Sequence, residues 1–506
     1  MSFAHARSHP LPHLGLTIEL YEHPTGAVHL HLASADQHRA FVVGCRTEPP
    51  DSSGLPHILE HLALCGSRRY PVRDPFFNML RRSLQTFMNA FTYPDMTAYP
   101  FATQVTKDFD NLLGVYLDAV FAPTLDRLDF AQEGWRLAPA SWPLPAGADA
   151  QNCDWAFKGV VFNEMKGGMA DSDSLMFQAV TEALLPETGY RFNSGGDPLQ
   201  IPRLAYDDLV AFHQDRYGAA NSCFVSYGDG DVAALQKRFA PYLAAAPGRA
   251  IPPVALQGPI TPPSPLRVPV PLAAGQDPRD VAVVGWHYAW GDSSCLDDVL
   301  LGELTDRLLF GHPAAPLRLA LDSSGLGRSC GGSGFMAYLR NGLFSIELDG
   351  IAPADYPRFE ALVQEELQAL AERGFPTDEV DAALHQVELA RRRIGGDGMP
   401  FGLQLCLRGL MAWNHGRDPV DALDQDAAIA RLAERVRQPG FWPATLRQRF
   451  LEQPHRLLAM AEPDAGFQER QDRAEAELVQ ERLAPCHRIL VVAEGGEART
   501  GCRRSR

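Results

Sequence analysis

Two histidines and a glutamate with helical spacing are the residues of this sequence best suited to chemistry. His57 and His61 are four residues apart, and Glu60 directly precedes the second histidine. On a helix, residues four apart lie one above the other, so both imidazoles can reach one metal ion. Glu60 would lie over the same turn, where a carboxylate that binds no metal can accept a proton from water. The spacing therefore predicts a zinc site with an adjacent general base, an arrangement suited to hydrolysis.

The residues on either side of this motif are compatible with a short helix. Gly54 and Pro56 could begin it, and Gly66 could end it. The alternative is a surface helix that carries two histidines and a glutamate without binding metal. The flanking residues make that alternative the weaker of the two.

A catalytic zinc site usually takes three protein ligands and keeps an open position for water. The candidates for the third ligand are Glu133, Asp154, Glu164 and the nearby Cys65. Cys65 lies one turn beyond His61, but a buried structural thiol is the better reading of it. Spacing alone does not choose among the three carboxylates.

Composition sets the broad class of the protein. The chain has 506 residues, of which 45% are hydrophobic, and this length predicts about two to four domains. A net charge of −16 argues against non-specific nucleic-acid binding. Nine cysteines without regular spacing indicate reduced thiols, and neither a secretory signal nor a membrane-length apolar run is present. We therefore expect a soluble cytoplasmic protein that binds neither nucleic acid nor membrane.

Strand and helix patterns alternate along the chain, which predicts an α+β protein built of mixed sheets packed with helices. Among these patterns, residues 86–92 are predicted to form a strand, and residues 106–121, 129–137 and 377–394 are predicted to form helices. Residues 247–272 are rich in proline and cannot form a regular helix or a central strand. We place a linker there. The predicted units are a zinc-binding catalytic domain, the proline-rich linker, a second domain without a metal motif, and a helical segment with a divergent tail, at residues 1–246, 247–272, 273–467 and 468–506.

A glycine-rich run at residues 325–334 could suggest a phosphate-binding loop. It lacks the Gly-Lys-Ser/Thr ending of a nucleotide-binding loop, so it is predicted to be a connection made of turns.

Three separate blocks resemble the presequence protease branch of the pitrilysin-like zinc peptidases. They are HILEHLALCGSRRYP at 57–71, SLQTFMNAFTYPD at 83–95 and KGVVFNEMKG at 158–167. The resemblance implies two consecutive pitrilysin-like layered domains and a zinc-dependent endopeptidase that degrades short unfolded peptides. It also implies residue roles: His57, His61 and Glu164 as zinc ligands, Glu60 as the general base, and Asn89 and Ala90 on the strand that binds the substrate backbone.

The resemblance extends from about residue 15 to 485, where residues 468–483 look like the start of the family's linker between halves. Family members carry a second, similar half that contributes an arginine and a tyrosine to the active site, and no position here matches those two residues. This implies either a partner, as a second half-enzyme subunit or a homo-oligomer, or a non-catalytic subunit that retains the fold.

Overall fold

The chain folds into two layered α+β units. The computed structural model describes residues 2–141, 153–392, 395 and 398–494. The strands are β1 Ala4–Leu11, β2 Leu16–Glu22, β3 Val28–Ser34, β4 Arg39–Arg46, β5 Gln85–Met88, β6 Phe91–Thr92, β7 Met96–Thr103, β8 Arg136–Pro139, β9 Trp155–Lys158, β10 Ser222–Gly228, β11 Leu266–Pro271, β12 Val283–Asp292, β13 Gly334–Met336, β14 Asn341–Asp349 and β15 Arg456–Asp464. The helices are α1 Leu55–Cys65, α2 Pro75–Arg82, α3 Thr106–Phe121, α4 Arg127–Glu133, α5 Val160–Gly168, α6 Ser172–Leu184, α7 Tyr206–Arg216, α8 Val232–Ala245, α9 Leu296–Phe310, α10 Pro316–Ser323, α11 Tyr356–Arg373, α12 Thr377–Arg392, α13 Phe401–Asn414, α14 Pro419–Leu423, α15 Asp426–Val436, α16 Phe441–Leu446 and α17 Phe467–Glu494.

The two large sheets repeat one topology. The first sheet has the order β1-β2-β3-β10-β4-β7-β5, with β6 also paired to β7, and the second has the order β11-β15-β12-β14-β13. In each sheet one pair is parallel, β3 with β10 and β11 with β15. The remaining pairs among the five shared strands are antiparallel. The predicted α+β class with two consecutive layered domains is confirmed.

Each large sheet is partly covered by a helix that comes from the other unit, and these two helices, α6 and α13, are the exchanged helices. Helix α6, from the first unit, buries Val180 and Leu184 against the second sheet in a cluster that includes Val270 and Leu457. Helix α13, from the second unit, packs on the first sheet through a cluster that includes Leu410. The two units therefore share their hydrophobic cores.

Several sequence predictions differ in detail from the structure. The strand predicted over 86–92 is interrupted at residues 89–90, between β5 and β6. The helix predicted over 129–137 ends at Glu133, and the chain then forms β8. The helix predicted to reach residue 394 is described to Arg392, and residues 393 and 394 lie outside the described residues. Residues 266–271 of the predicted linker form β11, an edge strand in which proline can be accommodated without loss of a ladder hydrogen bond.

The C-terminal helix returns to the first unit. Helix α17 places Leu478, Val479 and Leu483 in the same core as α1 and α3. The predicted helix over 468–483 lies within it, and residues 495–506 of the predicted tail are outside the described residues. The glycine-rich run consists of turns and bends between α10 and β13. Within the described part of the chain, none of the helices is both long and apolar enough to cross a bilayer.

Candidate metal centre

The start of helix α1 packs closely against a loop that contains Gly195 and Gly196. Gly54 precedes the helix with a φ of 69°, a conformation that favours glycine. A Cβ atom on Gly54 would lie 2.7 Å from the carbonyl oxygen of Gly195, so the loop that contains Gly195 can approach closely. The apolar side of α1 is buried in the first core, through Ile58, Leu59 and Leu62. The opposite side carries His57 and His61, whose side chains are 12% and 23% exposed, so α1 is not a fully solvated helix. The space between these two imidazoles and Glu164 is the metal cleft.

The side chains of His57, His61 and Glu164 converge in this cleft. The Nε2 atoms of His57 and His61 lie 3.8 Å and 4.0 Å from Oε2 of Glu164. Within the described residues, these three form the sole His/Cys/Asp/Glu group whose ligand atoms all lie within 4.8 Å of one another. Ligand atoms around a tetrahedral zinc ion are about 3.3 Å apart, so small side-chain movements would close the group around one ion. The donor set therefore fits zinc.

Both imidazoles are oriented by a partner at their other nitrogen. Nδ1 of His57 lies 3.1 Å from the carbonyl oxygen of Gly195, and Nδ1 of His61 lies 3.2 Å from Oε2 of Glu133. A proton on each Nδ1 leaves the Nε2 lone pair free to bind metal. Gln132 donates a hydrogen bond of 3.0 Å to the other oxygen of Glu133 and fixes that carboxylate in turn.

Charge also favours the pairing of His61 with Glu133. Burial alone lowers the pKa of His61, but the bond to Glu133 and the nearby carboxylates outweigh burial and raise it. Burial raises the pKa of Glu133, whereas its hydrogen bonds from His61 and Gln132 lower it, and the net shift is downward. Glu133 is therefore an ionised acceptor for His61 Nδ1.

The other candidate ligands lie outside the convergent group. Glu133 contacts Nδ1 of His61, whereas the metal-facing nitrogen of that ring is Nε2. Cys65 is buried, and its thiol donates to the carbonyl oxygen of His61 within α1. Asp154, just before β9, is likewise not a member of the group.

Glu60 lies beside the metal-binding group without belonging to it. Its side chain is largely buried, and Oε2 accepts a hydrogen bond of 2.6 Å from the Thr92 hydroxyl on β6. One carboxylate oxygen of Glu60 is therefore held by Thr92, and Oε1 has no hydrogen-bond partner among the described residues. Sequence reasoning missed Thr92, and also the roles of Glu133 and Gly195 as partners of the histidines. The only available signal for Thr92 was its position in the hairpin after Asn89.

Asn89 and Ala90 lie at the break between β5 and β6, on the outer edge of the first sheet. The Asn89 backbone is held on both sides, since its N–H donates to Pro100 and its carbonyl oxygen accepts from the Tyr116 hydroxyl at 3.0 Å. The Ala90 N–H donates to the Asn89 side chain at 2.9 Å. An edge strand of this kind can accept a further strand.

The turn after β6 is anchored to the second unit by a buried carboxylate. Asp95 is 1% exposed and accepts hydrogen bonds from the Tyr190 hydroxyl at 2.6 Å and the Asn414 amide at 2.9 Å. His415 lies 3.2 Å from the same carboxylate. The hairpin that carries Thr92 is thus fixed by Asn414, the last residue of α13, and by His415, which follows it.

Comparison with known proteins gives a consistent picture. The family described as insulinase, peptidase family M16, matches residues 40–137, and the family described as peptidase M16 inactive domain matches residues 203–387. The mitochondrial presequence protease of Xenopus tropicalis is 37% identical over 485 residues, which is 94% of this chain and 46% of that protein. Presequence protease 1, chloroplastic/mitochondrial, of Arabidopsis thaliana is 36% identical, over 88% of this chain and 41% of that protein. The chain thus spans about half the length of these curated relatives.

Solved structures share the fold. A protease from Helicobacter pylori superposes with a TM-score of 0.64 at 14% identity, covering 88% of this chain and 99% of that chain. Pitrilysin superposes with a TM-score of 0.62 at 16% identity, covering 92% of this chain and 47% of that chain.

Proposed function

We propose that this chain, which belongs to peptidase family M16 and to its presequence protease branch, is a zinc-dependent endopeptidase or the catalytic half of one. Its proposed substrates are short unfolded peptides. The observation that carries the proposal is the convergence of His57, His61 and Glu164 beside a carboxylate that binds no metal.

The residues divide the work between metal binding and proton transfer. His57 and His61 through Nε2, and Glu164 through Oε2, would hold zinc. A zinc ion held there supplies a Lewis acid that polarises a carbonyl group and makes water easier to deprotonate. Glu60 accepts the proton of the attacking water and returns it to the leaving amine. Thr92 donates to Oε2 of Glu60, so the proton moves through Oε1.

The edge formed by β5 and β6 would bind the peptide as an added strand. Main-chain hydrogen bonds next to Asn89 and Ala90 would fix the peptide without requiring one particular side chain. This mode of binding supports broad specificity for extended peptides, and it requires the substrate to be unfolded.

A partner is a further part of the proposal. The chain matches about half the length of its curated relatives, and a second half-enzyme subunit or a homo-oligomer would supply the counterpart of the other half. We therefore expect the isolated chain to bind zinc but to hydrolyse peptides poorly. A cytoplasmic location stays a prediction, and the animal relatives are named as mitochondrial proteins.

The experiment compares the wild-type chain with Glu60→Gln, both alone and with any co-purifying partner. Zinc content is measured on the purified proteins, and turnover is measured with a fluorogenic peptide. We expect equal zinc content and loss of turnover in Glu60→Gln, because the amide cannot accept the water proton. Unchanged turnover would remove Glu60 from the mechanism. Robust turnover by the wild-type monomer would refute the need for a partner, and zinc binding without turnover in any assembly would favour a non-catalytic subunit.

A further inference from the structure

The second unit repeats the chain order that forms the metal cleft. Strand β12 is followed by α9, α10, the edge strand β13 and β14, as β4 is followed by α1, α2, the edge strands β5 and β6, and β7. Glu303 of α9 lies 11 positions after the end of β12, and His57 of α1 lies 11 positions after the end of β4. Residues 303–307 therefore correspond to residues 57–61, which carry two of the proposed zinc ligands and Glu60.

Burial along the two helices agrees with this correspondence. Ile58 and Leu62 of α1 have no exposed surface, and their counterparts on α9, Leu304 and Leu308, are at most 3% exposed. The opposite side of α9 therefore occupies the place of the metal-binding side of α1.

This opposite side of α9 lines a cavity of about 670 Å³. The cavity lies between α9, α10 and the glycine-rich run, and we call it the α9–α10 cavity. Its volume is within the range of sites for small ligands. The charged residues of its lining are three acids and three bases, namely Glu303, Asp306, Asp322, Arg307, Arg318 and Arg328. The second unit thus has space for a ligand, with charges of both signs around it.

Two of these charges are paired with residues outside the cavity. Glu303 forms its ion pair with Arg391 of α12, and Nη1 of Arg328 lies 2.9 Å from Oδ1 of Asp280. Since neither Arg391 nor Asp280 lines the cavity, these two pairs do not fill it.

Arg318 and Asp322 form a loose pair one turn apart on α10. Nε of Arg318 lies 3.5 Å from Oδ2 of Asp322 and, within the described residues, has no hydrogen-bond acceptor. The side chain of Arg318 is 41% exposed, so the rest of its guanidinium can reach a molecule in the cavity.

Asp306 and Arg307 lack an ionic partner among the residues that the structure describes. They do not pair with each other, because consecutive residues of a helix point in different directions. Asp306 is turned towards β13, since a Cβ atom on Gly334 would lie 3.1 Å from Oδ1 of Asp306. One carboxylate and one guanidinium are therefore presented to the same cavity.

The distribution of charge around the cavity decides which ligand fits. Burial raises the pKa of Asp306 to about 6, although Arg307 and the Phe335 amide act in the opposite direction, so an ammonium group beside this carboxylate would be favourable. An anion such as phosphate would be repelled by three acidic side chains, and a metal ion would be repelled by three guanidiniums. A molecule that carries both an ammonium group and a carboxylate meets a partner of opposite charge for each.

We propose that the α9–α10 cavity binds a small zwitterion, either a free amino acid or a short peptide, with its ammonium group at Asp306 and its carboxylate at Arg307 and Arg318. Guanidiniums bind carboxylates through paired N–H···O bonds, and a carboxylate accepts charge-assisted hydrogen bonds from an ammonium group. The site goes beyond the proposed peptidase activity and does not depend on it, because none of the proposed zinc ligands lines the cavity.

The first test measures binding to the full chain by equilibrium dialysis. Metal is first removed with a chelator, so that neither zinc-bound peptide nor hydrolysis contributes. The probes are alanine, trialanine, N-acetyl-trialanine and trialanine amide. We expect saturable binding of alanine or trialanine, which identifies the source of the zwitterion. Both blocked peptides should bind about ten-fold more weakly than trialanine, because each lacks one of the two charges.

The second test assigns each charge of the ligand to its partner. Asp306→Asn should weaken the binding of trialanine about ten-fold and leave that of N-acetyl-trialanine unchanged, because the acetylated peptide has no ammonium group. Arg307→Gln should weaken the binding of trialanine and leave that of trialanine amide unchanged. The matched control Arg373→Gln, which removes an exposed arginine of α11, should leave all four affinities unchanged.

Circular dichroism and thermal unfolding show whether each variant folds, and should one fail, the other variant and the blocked peptides decide. Equal binding of free and blocked peptides, affinities that neither variant changes, or the absence of saturable binding of both alanine and trialanine would overturn the proposal. These measurements use metal-free protein, so failure of this site is distinguishable from failure of the proposed zinc peptidase.

Discussion

The two units of this protein share a strand order but present opposite chemistry at corresponding positions. In the first unit, α1 and α5 bring His57, His61 and Glu164 together around a space suited to a cation. In the second unit, α9 and α12 bring Glu303 and Arg391 together, and Arg307 lies on the same side of α9 as Glu303. The comparison shows that the sheet and its helices provide a position, whereas a few side chains decide what that position can bind.

The edge of the sheet near these corresponding positions differs as well. In the first unit, the edge strands β5 and β6 carry Thr92, which holds Glu60. The corresponding edge strand of the second unit, β13, is three residues long and follows the glycine-rich turns. The edge is therefore extended by β6 in the first sheet, whereas β13 stands alone at that edge of the second sheet as described.

The largest expected effect is a difference in zinc content between a variant of the first unit and a variant of the second. His61→Ala removes one of three donors from the first cleft, and we expect zinc in the purified chain to fall to background. Glu303→Gln alters the ion pair with Arg391 in the second unit and should leave zinc content unchanged. Elemental analysis of both variants checks this difference, and loss of zinc in Glu303→Gln would break the assignment of metal binding to the first unit alone.

The exchanged helices should couple the stabilities of the two units. Leu184→Ala on α6 and Leu410→Ala on α13 each open a cavity against the sheet of the other unit, and each should cost about 2–5 kcal/mol of unfolding free energy. Leu389→Ala, at an exposed position of α12, should change stability by less than about 0.5 kcal/mol. Urea unfolding measures these values. Amide hydrogen exchange in Leu184→Ala should become faster in β11 and β15. If it became faster only within the first unit, the packing of α6 on the second sheet would be contradicted.

A smaller effect is expected at the partner of His61. Glu133→Gln keeps the size of the side chain but weakens the bond that orients His61, so zinc affinity should fall by about 10–100-fold. Competition with a chelator of known affinity measures the change. An unchanged affinity would show that Glu133 does not orient the histidine.

The effects of pH should have opposite signs in the two units. Burial lowers the pKa of His31, on β3, to about 4. The unfolded chain binds a proton at about pH 6.5 and the folded chain does not, so stability should fall as the pH decreases from about 6.5 to 4.

In the second unit, burial raises the pKa of Glu347, on β14, to about 8. The folded chain retains this proton while the unfolded chain has lost it, so stability should fall as the pH rises from about 4.5 to 8. Unfolding midpoints measured across these ranges test both signs. The slopes should flatten in His31→Gln and Glu347→Gln respectively, and a slope that each variant leaves unaltered would remove that residue from the pH dependence.

Much of the fold and half of the site could be predicted from local sequence. The helix over 106–121 was predicted with its observed bounds, because its apolar residues recur with helical spacing. The edge strand was not predicted correctly, since nothing in the pattern of residues 86–92 indicates a break at Asn89 and Ala90. Pro100 lies opposite Asn89 in the ladder and has no N–H to donate, so the Asn89 carbonyl oxygen accepts from the Tyr116 hydroxyl instead. Both partners are distant from Asn89 in sequence.

Periodicity also could not reveal the exchange of helices. An apolar stripe on α6 or α13 shows that one face is buried, but it carries no information about which sheet covers it. For the same reason, the boundaries predicted near the proline-rich segment gave no indication that the cores are shared.

The amino-acid sequence by itself determined that His57, Glu60 and His61 lie on one turn of a helix, because their spacing matches the helical repeat. Tertiary structure alone decided which distant side chains join them. Glu164 reaches the cleft, Glu133 binds the far side of His61, and Thr92 holds Glu60, although only Glu164 was implied by resemblance. Spacing along the chain fixes local geometry through the repeat of the helix, whereas contacts between distant residues depend on how whole elements pack.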